Sequence, residues 1–211
     1  MKIELENVMP MEIEKRSFEM ITRELDRKLP QDQAPIIKRC IHTSADFEYA
    51  DSLCFSDGAV KLALEALQKG ACIVTDTQMG KAGIHKKSLS KYGGEVYCFM
   101  SDEGVAKTAE KNGTTRASAS MDKAAQLKKP LIFAIGNAPT ALIRLYELVE
   151  AGKLAPVLVI GVPVGFVNVI QSKELIMQST VPYIVAKGRK GGSNIAACIC
   201  NALLYMLEAE R

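Results

Sequence analysis

After Gly70 the chain falls into a repeating pattern: a short apolar run, an amphipathic stretch, then another apolar run. The apolar runs occupy residues 71–75, 95–99, 131–135, 157–160 and 183–186. Short runs that are almost continuously apolar read as strands buried on both faces. The stretches between them carry helix start and stop signals. Ser101-Asp102-Glu103 opens a helix that Gly113 closes, and a second covers about 115–127. Pro139 opens the next, another lies near 167–178, and Ser193 is placed to cap a last helix reaching about Glu208. This alternation predicts an α/β fold with a mostly parallel sheet and helices on both faces. Right-handed crossovers then line up the loop after each strand along one edge, where such folds bind ligands.

The first third of the chain reads differently. Residues 10–29 form a predicted helix with Pro10 in its first turn, a Phe18, Ile21 and Leu25 stripe, and Pro30 as its stop. A polar linker follows over 31–34, and Pro35 starts the segment that contains His42. Ser56-Asp57 is placed to cap a helix whose Val60, Ala63, Leu64 and Leu67 share a face and which ends at Gly70. The expectation is one domain over residues 1–211, with an N-terminal helical segment of about 1–70. With 211 residues, 48% of them hydrophobic, the chain can bury one substantial core.

Composition excludes several function classes. A net charge of +3 without a Lys/Arg stripe argues against a nucleic-acid surface, and the absence of Trp with only 6% aromatics argues against base stacking. No apolar run approaches membrane-spanning length, and the charged Met1–Glu4 opening does not read as a secretion signal. The six cysteines, at 40, 54, 72, 98, 198 and 200, lack CxxC spacing. Cys72 and Cys98 fall in predicted strands, and Cys198 and Cys200 in a predicted helix. They read as reduced thiols in a cytoplasmic protein. The two histidines give no metal-ligand spacing, and His85, beside Lys86-Lys87, reads as surface. Neither a Walker loop nor a GxGxxG turn is present, so no nucleotide cofactor is predicted.

What chemistry remains centres on His42, in Arg39-Cys40-Ile41-His42-Thr43-Ser44-Ala45-Asp46. Histidine exchanges a proton near neutral pH. Taken alone, His42 reads as a hydrogen-bonded structural residue. Three Gly-rich turns at the expected ligand edge change the weighing: Gly136-Asn137-Ala138-Pro139-Thr140, Gly161-Val162-Pro163-Val164-Gly165-Phe166, and Gly188-Arg189-Lys190-Gly191-Gly192-Ser193-Asn194. Asn137 or Thr140 can point a polar group into a pocket, or the turn can serve only to start a helix. The last turn can hold an anion with its N–H groups, Arg189 and Lys190, or be a flexible turn with two solvated cations; the two readings weigh equally. Arg116, among small polar residues, is either a solvated helix-start residue or a planar fork for a carboxylate.

Together and in this order, these segments resemble the precorrin-8X methylmutase family of corrin biosynthesis. The resemblance runs through Ile13-Glu14-Lys15-Arg16-Ser17-Phe18, Arg39-Cys40-Ile41-His42, and Asp76-Thr77-Gln78-Met79-Gly80-Lys81-Ala82-Gly83-Ile84. It continues through Thr115-Arg116-Ala117-Ser118-Ala119, Gly136 to Leu142, Gly161 to Val167, Ser172-Lys173-Glu174 and Gly188 to Asn194. Gly80-Lys81 departs from the more apolar stretch expected after Met79. The resemblance implies an isomerase that moves a methyl group from C11 to C12 of the macrocycle, a homodimer with its pocket near the subunit interface, and His42 as proton donor. It implies no cofactor and no protein metal site; cobalt, where present, comes inside the corrinoid substrate. Arg116, Lys190, Ser17 and the N–H groups of the Gly-rich turns are the expected holders of the carboxylate arms. Val164, Phe166 and Met79 are the expected apolar wall. Thr77, Gly83, Asn137, Thr140, Gly165, Gly192 and Ser193 complete the expected substrate-binding set.

Two other classes compete. An α/β methyltransferase needs a glycine-rich turn after the first strand and an acidic residue ending the second, and Thr75-Asp76-Thr77 and Phe99-Met100-Ser101 supply neither. A tetrapyrrole carrier without catalysis would bind its ligand with no dependence on His42.

Overall fold

A computed structural model describes residues 7–209; the Met1–Glu4 opening and the ends of the expected 1–211 domain therefore lie outside the described residues. Six strands form one sheet: β1 (Leu53–Phe55), β2 (Cys72–Thr75), β3 (Val96–Tyr97), β4 (Leu131–Ile135), β5 (Leu158–Gly161) and β6 (Tyr183–Ala186). Their order is β1-β6-β5-β4-β2-β3, and every pairing is parallel except β1 with β6. The predicted α/β architecture is the one observed, a single mixed domain.

Strand side chains alternate between two cores, as a sheet covered on both faces requires. Ile73, Ile132, Ala134, Leu158, Ile160 and Ile184 face one core; Cys72, Val74, Leu131, Phe133, Ile135, Val159 and Val185 face the other. The first core is roofed by α2 (Ala34–Ser44), α4 (Ala59–Gln68) and the long α11 (Ser193–Ala209). The second is roofed by α8 (Arg116–Ala124), α9 (Pro139–Glu150) and α10 (Val169–Gln178). α7 (Glu103–Lys111) packs beside α8, and α1 (Pro10–Leu25) lies outermost against α2. Three short helices, α3 (Tyr49–Ser52), α5 (Gln78–Gly83) and α6 (Lys86–Ser90), sit in the connections.

Several boundaries differ from expectation for identifiable reasons. α1 stops at Leu25, because Asp26 takes a left-handed conformation (φ 42°) that aspartate tolerates. Gly58, not Ser56 or Asp57, takes the N-cap place of α4. The Ser56 hydroxyl instead accepts the Tyr183 N–H at 2.9 Å and so holds the start of β6. Ser193 is the first helical residue of α11 rather than its cap, since Ala196 N–H already bonds the Gly192 carbonyl. β3 is only two residues long, which leaves Cys98 just beyond the strand. Asp102 and Thr115 do cap their helices, accepting the Val105 and Ser118 N–H groups at 3.0 and 3.1 Å. All six cysteines are free; Cys54 and Cys98 are half-buried and the other four buried. No helix among the described residues is long and apolar enough to cross a membrane.

Candidate active site

The sheet reverses its winding between β2 and β4. The chain leaves β2 for β3 on one side, crosses to β4 on the other, and then steps outward through β5 to β6. Crevices form outside the carboxyl ends of strands at such a point. Asp76, the residue after β2, braces this one. Its carboxylate accepts the N–H groups of Gly136, Asn137 and Ala138 at 2.9, 2.8 and 2.6 Å. Burial pushes its pKa above the ordinary carboxylate range and makes it a weaker acid, outweighing the three bonds that favour the charged form. Sequence spacing alone assigns Asp76 no role. Its signal was an acidic residue directly following a buried strand.

The remaining exit loops join at the same place. Thr77 caps α5 by accepting the Gly80 N–H at 2.9 Å, and its hydroxyl lies 2.7 Å from that of Ser193. Val162 carbonyl accepts from Gly192, and Arg189 carbonyl accepts from Gly165. Close backbone approach makes glycine necessary at two positions. A Cβ on Gly136 would stand 2.6 Å from Ser193 Cα, and one on Gly191, whose φ is 153°, would stand 2.0 Å from Val162 O. Apolar side chains remain uncovered on the β2 and β5 exit loops: Met79, Val164 and Phe166, the last 80% exposed. The Arg189 guanidinium lies over the Phe166 ring at 5.3 Å.

His42 stands in the last turn of α2, exposed, with its ring stacked on Phe18 of α1 at 5.4 Å. Among the described residues neither imidazole nitrogen is hydrogen-bonded, so the reading of a hydrogen-bonded structural histidine does not hold. Phe18 itself is set by Arg39, whose guanidinium lies 5.2 Å from its ring and 4.6 Å from the Tyr205 ring while pairing with Glu14. The end of α2 is tied to the crevice by two contacts. Thr43 donates to Cys198 Sγ on α11 at 3.1 Å, and Asp46 pairs with Lys190 at 2.6 Å.

The expected binding residues are not all gathered. Thr77, Asn137, Gly165, Gly192 and Ser193 lie on the converging loops, with Met79, Val164 and Phe166 at their rim. Lys190 is there too, but its ammonium is already held by Asp46 and Glu48, each at 2.6 Å. Thr140 bonds Thr115 at 2.9 Å, which ties the start of α9 to the start of α8. Ser17 turns its hydroxyl back to the Ile13 carbonyl at 2.8 Å. Gly83 serves close packing of α5 on α11, since a Cβ there would meet Ala197 Cβ at 2.9 Å. Arg116 opens α8 in the opposite helical layer from His42, in a recess with Glu103, Lys107, Glu110 and Thr114. His85 is exposed as expected, with Nδ1 2.6 Å from Ser88 Oγ.

The buried Lys173 of α10 was also missed as a contributor. Its Nζ donates to the carbonyls of Gly188 and Lys190 at 2.8 and 2.9 Å, from beneath the last Gly-rich turn. The signal was its register: Val169, Ser172, Lys173 and Ile176 follow the spacing of one helix face, and all four are buried.

The precorrin-8X methylmutase family model matches residues 12–206. This chain belongs to that family. It is 43% identical to a cobalt-precorrin-8 methylmutase of Priestia megaterium, over 96% of this chain and 90% of the relative. It is 44% identical to one of Salmonella typhimurium, over 94% and 96%. The crystal structure of a precorrin-8X methylmutase from Thermus thermophilus superposes with a TM-score of 0.86 at 37% identity, covering 94% of this chain and 98% of that one. The family resemblance seen in the motifs thus extends to the whole fold.

Proposed function

We propose that this chain is an isomerase of corrin biosynthesis that moves a methyl group from C11 to C12 of a precorrin-8 macrocycle, with His42 as its proton donor. The observation that carries the catalytic assignment is the exposed His42 imidazole, steadied by ring stacking and with both nitrogens unengaged. In this reaction the bond from the methyl carbon to C11 breaks as the bond to C12 forms, and the conjugation of the ring rearranges around them. No external nucleophile, methyl donor or redox partner is consumed. The protein must hold the macrocycle still and deliver a proton at ring C that favours the rearranged conjugation. A positioned acid contributes about 10²–10⁴ in rate.

The converging loops suit the rest of the ligand. Met79, Val164 and Phe166 offer apolar surface to the flat ring. Backbone N–H groups of the Gly-rich turns, with Arg116 at the far rim, offer donors to the carboxylate arms. Names of the Priestia megaterium and Salmonella typhimurium relatives support cobalt-precorrin-8 as the natural substrate. The exposed rim supports a homodimer in which the partner subunit closes the site, in a cytoplasmic enzyme.

Incubating the protein with cobalt-precorrin-8 and with precorrin-8 while following the visible spectrum tests this reading. Rearrangement is expected with the wild type, faster for the cobalt form, and lost or slowed by about 10²-fold or more in His42→Ala with product affinity retained. Binding without rearrangement by the wild type would leave a carrier and overturn the enzymatic reading. Near-wild-type turnover in His42→Ala would remove the histidine from the mechanism. Light scattering across a dilution series is expected to give a dimer mass.

A further inference from the structure

Lys173 is fully buried, and among the described residues no carboxylate pairs with it: its Nζ contacts are the two carbonyls of Gly188 and Lys190. Its neighbour Glu174 is exposed. An ammonium taken out of water without a counter-ion is unfavourable, and an apolar side chain of the same length would fill the space more cheaply. Stability of the core therefore does not explain this lysine. The turn above it does.

The Gly188–Gly192 segment contains three glycines with positive φ, at 76°, 153° and 135°, so its residues impose little path of their own. Three successive carbonyls of the turn are occupied by donors from two other segments. Gly188 and Lys190 accept from Lys173, and Arg189 accepts from Gly165 N–H at 3.2 Å. In a trans peptide the N–H points opposite to the C=O, and the described chain has no cis bond. The N–H groups of Arg189 and Gly191 are thus turned away from Lys173, and that of Lys190 is turned away from Gly165; none of the three donates to another described group. Successive N–H groups on one side of a turn form a concavity for anions. The Lys190 side chain cannot serve that purpose directly, being held by Asp46 and Glu48.

From this geometry we infer that Lys173 is a positioning residue, which fixes the Gly188–Gly192 turn so that its unengaged N–H groups receive a carboxylate arm of the corrin substrate. It acts through the turn and touches no substrate atom. The inference rests on the reading of this chain as a methylmutase and names one of the places where that substrate is held.

Two measurements test it. The first titrates wild-type protein, labelled with nitrogen-15, with cobyrinic acid as a polycarboxylate corrinoid and follows the backbone amides. The Arg189, Lys190 and Gly191 amides are expected to shift. If the amides around His42 shift while these three stay silent, the inference fails and the methylmutase reading stands. If no amide responds to the corrinoid, both fail.

The second compares Lys173→Met, which keeps length and loses the donors, with the wild type for binding of cobyrinic acid and of its fully amidated counterpart. Affinity for the acid is expected to fall about 10-fold or more, with a smaller loss for the amide and kcat changed by less than about threefold. Ethylammonium added to Lys173→Ala is expected to restore part of the lost affinity, which a merely structural defect would not allow. Equal losses for both ligands, or unchanged affinity for the acid, would overturn the inference. The amide titration stands whether or not either variant folds.

Discussion

The hydroxyls of Thr77 and Ser193 lie 2.7 Å apart and join the exit of β2 to the start of α11 across 116 positions of sequence. Thr77 also caps α5. One hydroxyl pair therefore sets three things at the crevice: the direction of α5, which bears Met79, the start of the helix that carries Cys198, and the gap between them. A double-mutant cycle in urea should separate these. Ser193→Ala is expected to cost about 1 kcal/mol, and Thr77→Val about 1–2 kcal/mol because it also loses the cap. The double variant should fall short of their sum by about 0.5–1.5 kcal/mol. Strict additivity would show that the 2.7 Å contact contributes nothing to folding.

Gly191 is the tightest point of the crevice. With a φ of 153° and a Cβ that would stand 2.0 Å from Val162 O, it has no room for alanine. That oxygen is backbone and cannot rotate away, so the turn or the loop after β5 must shift. Gly191→Ala is expected to lower stability by about 2 kcal/mol or more. Gly113→Ala is the matched control: φ is 60° there, but a Cβ meets nothing within 4 Å. Its loss should be smaller, at the order of 1 kcal/mol for conformation alone. Equal losses in thermal unfolding would mean that conformation, not the Val162 contact, governs both.

How much of this was legible beforehand depended on length and on side-chain competition. β4 and β6 matched the predicted spans because an apolar run between turn residues has few other uses. β1 escaped notice: three residues, paired antiparallel at the sheet edge, give too little pattern to read. The helices α3, α5 and α6 have four to six residues and cannot display a full amphipathic period. Ser56 and Ser193 look like caps in sequence, but each hydroxyl is engaged by a distant partner, Tyr183 or Thr77, which local spacing cannot reveal. The same holds at the site. His42 was readable from its chemistry. Asp76 and Lys173 act on backbone groups of other segments, so their roles appear only once the loops converge.

Arg116 gives a test of reach. It belongs to the α8 layer, in a recess with Glu103 and Glu110, on the opposite face of the sheet from α2. If it holds a carboxylate arm, Arg116→Ala should weaken cobyrinic acid by about 1.5–3 kcal/mol and its amidated counterpart by much less. Calorimetric titration of both ligands provides the comparison. Matching losses would mean that Arg116 shapes the recess without reading the charge.

The last expectation concerns pH and follows from burial of Lys173. Desolvation lowers its pKa from the ordinary 10.5 to about 8. The sign follows from proton counts in the two states. Below about pH 8 both folded and unfolded chains carry the proton, and the folded state bears the full penalty of a buried charge. Between about 8 and 10.5 the folded chain has released it while the unfolded chain still holds it, so stability rises with pH over this window. Above 10.5 both are neutral and the contribution is constant. Other lysines and tyrosines titrate there too, so the wild type must be compared with Lys173→Met, in which this contribution is absent. The thermal midpoint of the wild type is expected to gain on that of Lys173→Met as pH rises from 8 to 10. Parallel midpoints through that range would show that the ammonium is as well solvated by its two carbonyls as it would be in water.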